Sequence, residues 1–470
     1  MSRDKALAPL WWLTSRSWMQ PIMRPLRRLV GTERARRWKQ SLRPRLHPSI
    51  HWHIDAVHRI DDVGAFVVGW LVDPCGEVAR LELSCDGRTI DVTTRWARCR
   101  RPDVVASIAD APKTDVDVGF LCFLPDFLVS GVCSLRIVDR RGAVATQQVA
   151  AREATSAIEW SKEILSQVAA GRPDVADVIG RHVGPPLQAL ARRRAAPRPP
   201  LVREFGPRPA RPRTSLLIPL YGRADFVRYQ TALFASDPEL RDVEILYVVD
   251  DPRLVETACD LARNAWRFHG VPLTVVVNER NLGFSGANNA GAAIARGATL
   301  VLLNSDVFPG RPGWLGRLLA PLADPRVGLV GAKLLYEDGT VQHDGMQLHA
   351  HEAWGGMPIL LHPGKGLPDP GGGPAVADAD AVTGACMAIR AADYRALGGL
   401  DEGYLLGDFE DSDLCLRVKR AGRSIRIVRD VELFHLERQS QWLMPDMEWR
   451  QKITIYNCWR HSLALQEAGR

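Results

Sequence analysis

The residues of this chain that are best suited to chemistry stand at the ends of short apolar runs. Residues 301–306 read V-L-L-N-S-D, so that three apolar residues are followed directly by polar groups and a carboxylate. A buried strand that ends in this way delivers a charge to the edge of a sheet, where a ligand can reach it. Asn304 and Asp306 are therefore candidate ligands for a hard divalent cation, Mg2+ or Mn2+. A strand-end aspartate is also a common helix cap, and the residues alone leave both interpretations open.

Two further strand ends carry ionisable groups. His435 follows the apolar run 431–434, and its imidazole can complete a metal shell opposite Asp306, although it can equally be a structural histidine. Asp250 and Asp251 end the run V-V-D-D. A carboxylate at this place can accept a hydrogen bond from the N3–H of uracil or thymine, or it can cap the next helix.

Residues 407–416, G-D-F-E-D-S-D-L-C-L, predict the start of an acidic helix that ends near Gly422. Carboxylates stabilise a helix N-terminus, but Glu410, Asp411 and Asp413 exceed what capping needs. One of them can be the general base that removes a proton from an acceptor hydroxyl.

The segment N-L-G-F-S-G-A-N-N-A-G, residues 281–291, predicts a tight turn followed by a helix with small side chains. Gly283 and Gly286 permit the turn, and the small residues after them allow close approach to a bound nucleotide. The segment is neither G-x-G-x-x-G nor a P-loop, which disfavours a dinucleotide or ATP site. In the Gly- and Pro-rich loop 338–374, Trp354 can stack on a sugar face or fill a core.

Short apolar runs alternate with helical patterns from residue 213 onward. We predict strands at 215–218, 244–249, 273–277 and 300–303, and helices near 224–235, 254–268 and 285–296. This alternation is typical of an α/β fold in which crossover helices cover a mostly parallel sheet. Such sheets bind ligands at the carboxyl ends of their strands.

The rest of the chain divides by composition. We predict a basic, Trp-rich arm at 1–48, an antiparallel β-sandwich domain at 49–152, a helical segment with a Pro/Arg-rich linker at 153–212, the α/β domain at 213–445 and a C-terminal helix at 446–470. In the sandwich, Arg98, Arg100, Arg101 and Asp103 form either a ligand site or a solvated charged loop.

The net charge of +7 is concentrated in two segments. Residues 1–48 carry +10 and residues 185–213 carry +7, so the remainder carries −10. This distribution disfavours a nucleic-acid partner and favours contact between the arm and an anionic membrane surface, with a partner-packed or disordered arm as the alternative. Nine cysteines without a C-x-x-C pair, no apolar run of about 20 residues and no cleavable signal pattern predict a cytoplasmic protein, peripheral on the inner face of the cytoplasmic membrane.

Residues 213–440 resemble glycosyltransferase family 2, and within it the bacterial rhamnosyltransferase-like branch. The resemblance rests on the segment 281–291, on L-N-S-D (303–306), P-G-W-L (312–315), V-T-G-A-C-M-A-I-R (382–390), G-G-L-D-E (398–402), E-D-S-D-L-C-L-R (410–417) and His435. It implies a GT-A fold and inverting transfer of a hexose from a nucleotide-diphosphate sugar to a glycan or lipid-linked acceptor, in bacterial surface polysaccharide synthesis.

The resemblance also implies roles for individual residues. Asp411 is the expected catalytic base, and Asp306, His435 and Asn304 are the expected ligands of Mg2+ or Mn2+; stricter members have Asp at the position of Asn304. The expected donor nucleotide site comprises Pro219, Tyr221, Asp250, Asp251, Asn281, Gly283, Asn288 and Ser305. The expected acceptor site includes Trp354 and Glu410.

Two other functions fit parts of the sequence. A non-catalytic glycan-binding or scaffold protein would retain the β domain and have a degenerate transferase domain. A nucleotidyltransferase shares the α/β class, but it would need a basic glycine-rich loop after the first strand, where this chain has P-L-Y-G-R-A-D. The joint presence of Asp306, Asp411 and His435 favours the transferase.

Overall fold

The computed structural model describes residues 45–60, 62–108, 117–154, 157–192, 199–437 and 447–468. Most of the predicted basic arm, residues 1–44, lies outside the described residues, and so does the membrane contact predicted for it. Part of the predicted linker, residues 193–198, also lies outside them. The chain forms two compact units, and the second contains the whole of Glu153–Arg470 as far as it is described.

The first unit is built from β-strands, as the sequence predicts for residues 49–152. Its strands are β1 (His51–Ile60), β2 (Gly64–Val72), β3 (Val78–Cys85), β4 (Arg88–Asp91), β5 (Ala97–Cys99), β6 (Gly119–Pro125), β7 (Val132–Asp139) and β8 (Val144–Glu153), with one short helix, α1 (Pro102–Ser107). They join in a single hydrogen-bonded order, β4-β3-β7-β8-β1-β2-β6-β5. The division into two facing sheets of a sandwich stays a prediction.

The charged loop of this unit is satisfied internally. Arg101 pairs with Asp55 at 2.6 Å and with Asp103 at 2.9 Å, and Arg98 donates to the carbonyl oxygens of Leu71 and Asp117. These contacts fit the structural alternative better than a ligand site.

The second unit begins with a helical segment and continues into a mixed α/β fold. Its helices are α2 (Ala157–Ser166), α3 (Val175–Val178), α4 (Gly184–Arg192), α5 (Phe226–Ser236), α6 (Val255–His269), α7 (Gly283–Ile294), α8 (Trp314–Leu319), α9 (Ala391–Ala396), α10 (Glu410–Arg420) and α11 (Met447–Ala468), with a π-helical turn at Ile179–Val183 and 3-10 turns at Pro238–Leu240, Pro252–Leu254, Ala320–Ala323 and Glu352–Trp354. Its strands are β9 (Leu201–Phe205), β10 (Thr214–Leu220), β11 (Glu244–Val249), β12 (Leu273–Val277), β13 (Thr299–Leu303), β14 (Val307–Pro309), β15 (Val327–Leu335), β16 (Val341–His343), β17 (Gln347–His351), β18 (Met357–Leu361), β19 (Val376–Asp378), β20 (Cys386–Arg390) and β21 (Ser424–His435).

The main sheet has eleven strands in the order β14-β21-β15-β20-β13-β10-β11-β12-β9, with β16 on β15 and β19 on β21. The predicted parallel strands are present: β10 pairs in parallel with β11 and β13, and β11 pairs in parallel with β12. Beyond them the prediction of a mostly parallel sheet is wrong. Strands β9 and β20 add antiparallel to the two edges of the parallel group, so the sheet is mixed. Strand β9 also lies within the segment predicted as a linker.

Both faces of the parallel strands are buried, which explains their near-continuous apolar sequences. Leu216 and Ile218 of β10 pack on one side with residues of α5, α6 and α8, and Leu217 packs on the other side with residues of α7 and α10. Helices cover the sheet on both faces, and its carboxyl edge remains as the place where polar side chains can reach a ligand.

The C-terminal helix α11 packs against α2, α4, α10 and β18 within the same unit. None of the helices in the described ranges combines the length and the apolar character needed to cross a bilayer. All nine cysteines are free thiols and eight of them are buried.

Candidate functional site

A cavity of about 920 Å³ opens at the carboxyl edge of β10, β11, β12 and β13. Strand β10 has β11 on one side and β13 on the other, so the cavity lies at the topological switch point of the parallel group. Of the predicted site residues, the cavity is lined by Pro219, Tyr221, Asp250, Asn281, Gly283, Asn304, Ser305, Asp306, Trp354, Glu410, Asp411 and His435. Two predicted residues, Asp251 and Asn288, do not line it.

Antiparallel pairing of β14 with β21 brings Asp306 and His435 together across about 130 residues of sequence. The register places Val307 opposite His435, and the Leu436 N–H donates to the Asp306 carbonyl oxygen at 3.1 Å. As a result, His435 Nε2 lies 3.4 Å from Asp306 Oδ1, and both side chains are buried.

The oxygen and nitrogen donors at this point fit a divalent cation. His435 Nδ1 lies 3.3 Å from Oε1 of the buried Gln342, so a proton on Nδ1 leaves Nε2 with a free lone pair toward Asp306. Asn304 Oδ1 is buried and has no hydrogen-bond partner among the described residues. No cluster of three or more His, Cys, Asp or Glu side chains suited to a metal occurs within the described ranges, so substrate or water oxygens would have to complete the shell.

The Asp250 carboxylate accepts hydrogen bonds from the glycine-rich turn and fixes its conformation. One carboxylate oxygen accepts from Asn278 Nδ2 at 2.8 Å and from the Leu282 N–H at 2.9 Å, and the other accepts from the Gly283 N–H at 2.9 Å. Asn281 Oδ1 also accepts from the Gly283 N–H, at 2.8 Å. Asp250 therefore shapes the part of the cavity wall that the glycine-rich turn forms, in addition to lining the cavity itself.

Glycine is favoured at position 283 by the backbone conformation. Its φ is +77°, and a Cβ atom there would lie 3.4 Å from the Leu406 backbone. The next residue, Phe284, donates its N–H to the Leu406 carbonyl oxygen at 3.0 Å. The turn is thus bonded to the segment that precedes α10.

The two predicted donor residues outside the lining have structural partners. Asp251 accepts from the Arg253 N–H at 3.1 Å and pairs with the Arg253 guanidinium, which lowers the pKa of the Asp251 carboxyl; this is the capping alternative that the sequence left open. Asn288 is fully buried in α7, and its Nδ2 donates to the Phe284 carbonyl oxygen at 2.9 Å. The structure therefore gives no support to base or ribose contacts from Asp251 and Asn288.

The predicted base, Asp411, is connected to the end of β13 through the two residues that precede β20. The Asn304 N–H donates to the Ala385 carbonyl oxygen at 2.9 Å, and the neighbouring Gly384 N–H donates to Asp411 Oδ2 at 2.9 Å. Burial raises the pKa of Asp411, the N–H groups of Gly384 and Ser412 oppose that shift, and the charge of Asp408 adds to it. A carboxylate with a raised pKa is better matched to proton transfer near neutral pH.

Residues 405–409, which we call the left-handed loop, lead into α10 and carry unusual backbone strain. Leu406, Asp408 and Phe409 have φ values of +63°, +82° and +74°, although none is glycine. Each such residue costs on the order of 1 kcal/mol or more and persists only when neighbouring contacts fix it. The strain is concentrated beside the candidate base.

Glu410 is buried at the first turn of α10 and lines the cavity. Its Oε2 has no hydrogen-bond partner within the described ranges. Burial and the nearby charges of Asp411 and Asp408 raise the pKa of Glu410 well above its usual range. A neutral Glu410 can donate a hydrogen bond to a ligand in the cavity that it lines.

The opposite wall consists of the β17–β18 hairpin and the start of α11. Trp354 follows β17 and stacks on His351 with ring centroids 4.4 Å apart. Ile359, Leu360 and Leu361 of β18 continue this apolar wall. Its chemistry suits the apolar face of a sugar ring or an apolar group attached to one.

Several residues of the site could not be identified from the sequence. Gln342 precedes His343 in a short strand and carries no motif, yet it orients His435. Gly384 lies in the V-T-G-A-C block, but only the fold shows that its N–H faces Asp411. Thr454, in a C-terminal helix without an evident amphipathic pattern, donates to Asp408 at 2.9 Å. These contacts span long sequence separations, so no local signal marks them.

The carboxylate of Asp250 generates a first prediction. Asp250→Asn should lower the free energy of unfolding by roughly 2 kcal/mol, because one amide oxygen cannot accept from three N–H donors. Urea denaturation measures the change, with Asp260→Asn on the exposed face of α6 as a control that leaves the midpoint near wild type. An Asp250→Asn protein as stable as wild type would contradict the anchoring role.

Part of the sequence matches a known protein family. Residues 215–376 match the sequence model of Glycosyl transferase family 2. An O-antigen biosynthesis protein, RfbC, of Myxococcus xanthus is 27% identical over 251 residues, which are 53% of this chain and 19% of that protein. An uncharacterized protein, y4gI, of Sinorhizobium fredii is 36% identical over 174 residues, which are 36% of this chain and 18% of that protein. The match thus spans less than a fifth of each relative.

Among solved structures, partial likenesses occur to GalNAc-T7 with UDP, GalNAc and Mn2+ (TM-score 0.38, 17% identity, 48% of this chain and 44% of that one) and to the mannosyltransferase PcManGT of Pyrobaculum calidifontis with GDP-Man and Mn2+ (TM-score 0.37, 16% identity, 66% and 85%). The family match begins in β10 and ends in β19, and it includes the glycine-rich turn and the L-N-S-D strand end. Residues 215–376 therefore carry the sequence pattern of glycosyltransferase family 2.

Proposed function

We propose that this protein is an inverting glycosyltransferase of the GT-A fold that moves a hexose from a nucleotide-diphosphate sugar to a glycan or lipid-linked acceptor in bacterial surface polysaccharide synthesis. One observation carries the proposal. The donor-side turn, the Asp306–His435 pair and Asp411 line a single cavity, although they come from distant parts of the sequence. The rhamnosyltransferase-like branch stays a prediction.

The nucleotide would lie over the carboxyl ends of β10 and β11 and against the glycine-rich turn. Pro219 and Tyr221 form one side, and Asn281 and Gly283 form the other. The small Gly283 keeps the backbone open to the ligand. This placement supports a nucleoside diphosphate as the donor's leaving group.

The donor's diphosphate would lie beside Asn304, Asp306 and His435. These three side chains would hold Mg2+ or Mn2+, and the unpartnered Asn304 Oδ1 fits that role. When bound, the cation neutralises negative charge on the departing diphosphate. Gln342 would keep the His435 ring in the tautomer that presents Nε2.

In the transfer step, the acceptor hydroxyl oxygen forms a bond to the anomeric carbon while the bond from that carbon to the diphosphate oxygen breaks. Asp411 takes the hydroxyl proton, and the diphosphate leaves with the bonding electron pair. Attack from the face opposite the leaving group inverts the anomeric centre. The N–H groups of Gly384 and Ser412 occupy one lone pair on each Asp411 oxygen and leave others for the proton.

The acceptor would lie between Asp411 and the wall formed by the β17–β18 hairpin. Trp354 offers an aromatic face for a sugar ring, and a protonated Glu410 would donate a hydrogen bond to the acceptor. This arrangement places the acceptor on the side of the cavity away from the glycine-rich turn.

Nucleotide binding can be tested with UDP, dTDP and GDP, each with Mn2+, in a thermal-shift assay. One nucleotide should raise the melting temperature of the wild type by roughly 5–10 °C at about 100 times its Kd, and Asp306→Ala should lose that shift. Asp324→Ala, at a surface ion pair, is the matched control and should keep it. If no nucleoside diphosphate shifts the wild type, the donor-site proposal fails.

Asp411→Asn should separate catalysis from binding. Turnover, measured as release of the nucleoside diphosphate from its sugar donor, should fall by about 10²–10⁴-fold because the amide cannot accept the proton. The nucleotide-dependent thermal shift should be unchanged. Asp413→Asn is the control on the same helix: Asp413 pairs with Arg417, so its loss should lower the melting temperature and leave turnover near wild type. Equal turnover in Asp411→Asn and wild type would remove Asp411 from the mechanism.

The charge of Asp408 should be visible in the pH dependence. The base must be ionised, so turnover is lost as the pH falls through the pKa of Asp411, which the Asp408 carboxylate raises. Asp408→Asn should therefore lower that pKa and move the acidic limb of the pH–kcat profile to lower pH. Asparagine tolerates the left-handed backbone at this position. A limb that stays in place or moves to higher pH, measured at low ionic strength, would contradict the assignment.

A further inference from the structure

The C-terminal helix α11 forms part of the cavity wall, although it lies outside the residues that match the family. Arg450, Gln451, Ile453 and Thr454 line the cavity. Asn457, one turn further along the same helix, is fully buried and does not line it. Its side chain points instead at the left-handed loop, residues 405–409.

The amide of Asn457 bonds the backbone of the left-handed loop three times. Asn457 Oδ1 accepts from the Leu405 N–H at 2.9 Å, and Nδ2 donates to the carbonyl oxygens of Leu405 at 3.0 Å and Gly407 at 2.7 Å. This pattern needs one acceptor and two donors on a short side chain, which among the amino acids is the inventory of asparagine.

The loop has further attachments. At its end, the Phe409 carbonyl oxygen accepts from Ser412 Oγ and from the Asp413 N–H within α10, and the Phe409 ring centroid lies 5.5 Å from that of His461. On the donor side, the Phe284 N–H bonds the Leu406 carbonyl oxygen at 3.0 Å. On the outer side, Thr454 Oγ1 donates to Asp408 Oδ2 at 2.9 Å, near solvent. Between them, the buried amide of Asn457 fixes the backbone of a segment in which three non-glycine residues adopt positive φ. Such a conformation relaxes when its supporting contacts are removed.

We infer that Asn457 is a positioning residue for the proposed base, acting through the left-handed loop. Phe409 is the last residue of the loop and the N-cap of α10, and Asp411 is the second residue of that helix. A displacement of the loop therefore moves the Asp411 carboxylate relative to an acceptor hydroxyl. The donor-side groups on β10, β11 and β13 belong to other elements, and the glycine-rich turn meets the loop through the Phe284–Leu406 hydrogen bond, which the Asn457 side chain does not form. The inference rests on the proposed function for its kinetic consequence.

Asn457→Asp is the sharpest variant because the side chain keeps its shape and its acceptor for Leu405 but loses both donated hydrogen bonds. The first readout is amide hydrogen exchange in a peptide that covers residues 404–410, compared with a peptide that covers β11. Exchange in the loop peptide should be roughly tenfold faster than in wild type, and exchange in β11 should not change. Unchanged exchange in the loop peptide would overturn the inference whatever the activity.

The second readout is kinetic. A misplaced base should lower kcat by roughly 10²-fold and leave the donor KM and the thermal shift with UDP and Mn2+, or with whichever nucleoside diphosphate the wild type binds, near wild type. Trp459→Leu is the matched control on α11. Trp459 packs closely on Gly184 and away from the loop, so its loss should lower the melting temperature at least as much as Asn457→Asp does, with kcat and loop exchange near wild type. Faster loop exchange with normal kcat, or an equal kcat loss in Trp459→Leu, would overturn the positioning role.

Thr454→Val provides a milder variant that keeps the test decisive if Asn457→Asp does not fold. It removes the outer bond to Asp408 and a longer contact, 3.3 Å, to the Arg450 carbonyl oxygen of the same helix, and it leaves the three Asn457 hydrogen bonds in place, so loop exchange and kcat should change in the same directions by smaller factors. If the wild type binds no nucleoside diphosphate, the proposed function fails while the exchange result still decides whether Asn457 holds the loop.

Discussion

The carboxyl ends of parallel strands meet at one edge of a sheet, and the candidate site of this protein depends on that constraint. Strands β10, β11, β12 and β13 end within the same cavity, and each is followed by a polar residue or a tight turn. The antiparallel pairing of β14 with β21 adds a second constraint of the same kind, because its register places His435 beside Asp306. Side-chain chemistry at this site is set by backbone hydrogen bonds far from any ligand.

The cavity collects carboxylates at close range and stabilises them in three different ways. The Asp250 carboxylate is stabilised by hydrogen bonds from N–H groups of the glycine-rich turn. The Asp411 carboxylate is partly stabilised by the N–H groups of Gly384 and Ser412. Asp306 has an imidazole as its neighbour. Glu410 Oε2 has no hydrogen-bond partner among the described residues, and burial favours the neutral form of this side chain. The four groups therefore differ in charge and in hydrogen-bonding role, although the sequence shows four similar acids.

The sequence predicts the parallel strands to within one or two residues because their apolar runs are short, buried on both faces and separated by amphipathic helices. Strand ends and motif spacing also identify candidate site residues, most of which line the cavity. The antiparallel strands beyond β13 were not predicted, since their pairing depends on contacts between remote segments. Asp251 could not be distinguished from Asp250 by sequence, because only the path of the chain after β11 decides which carboxylate turns back to cap the Arg253 turn.

The hydrogen bond between the Phe284 N–H and the Leu406 carbonyl oxygen joins the glycine-rich turn to the left-handed loop. The proposed nucleotide site and the proposed base are therefore connected through this hydrogen bond. A side chain at Gly283 would strain the positive φ of the turn and would stand in van der Waals contact with the Leu406 backbone, so a replacement there would disturb this connection. Under the proposed function, selection for a new sugar donor would therefore be linked to catalytic rate, and altered donor preference would be expected to arise together with compensating replacements in residues 405–409.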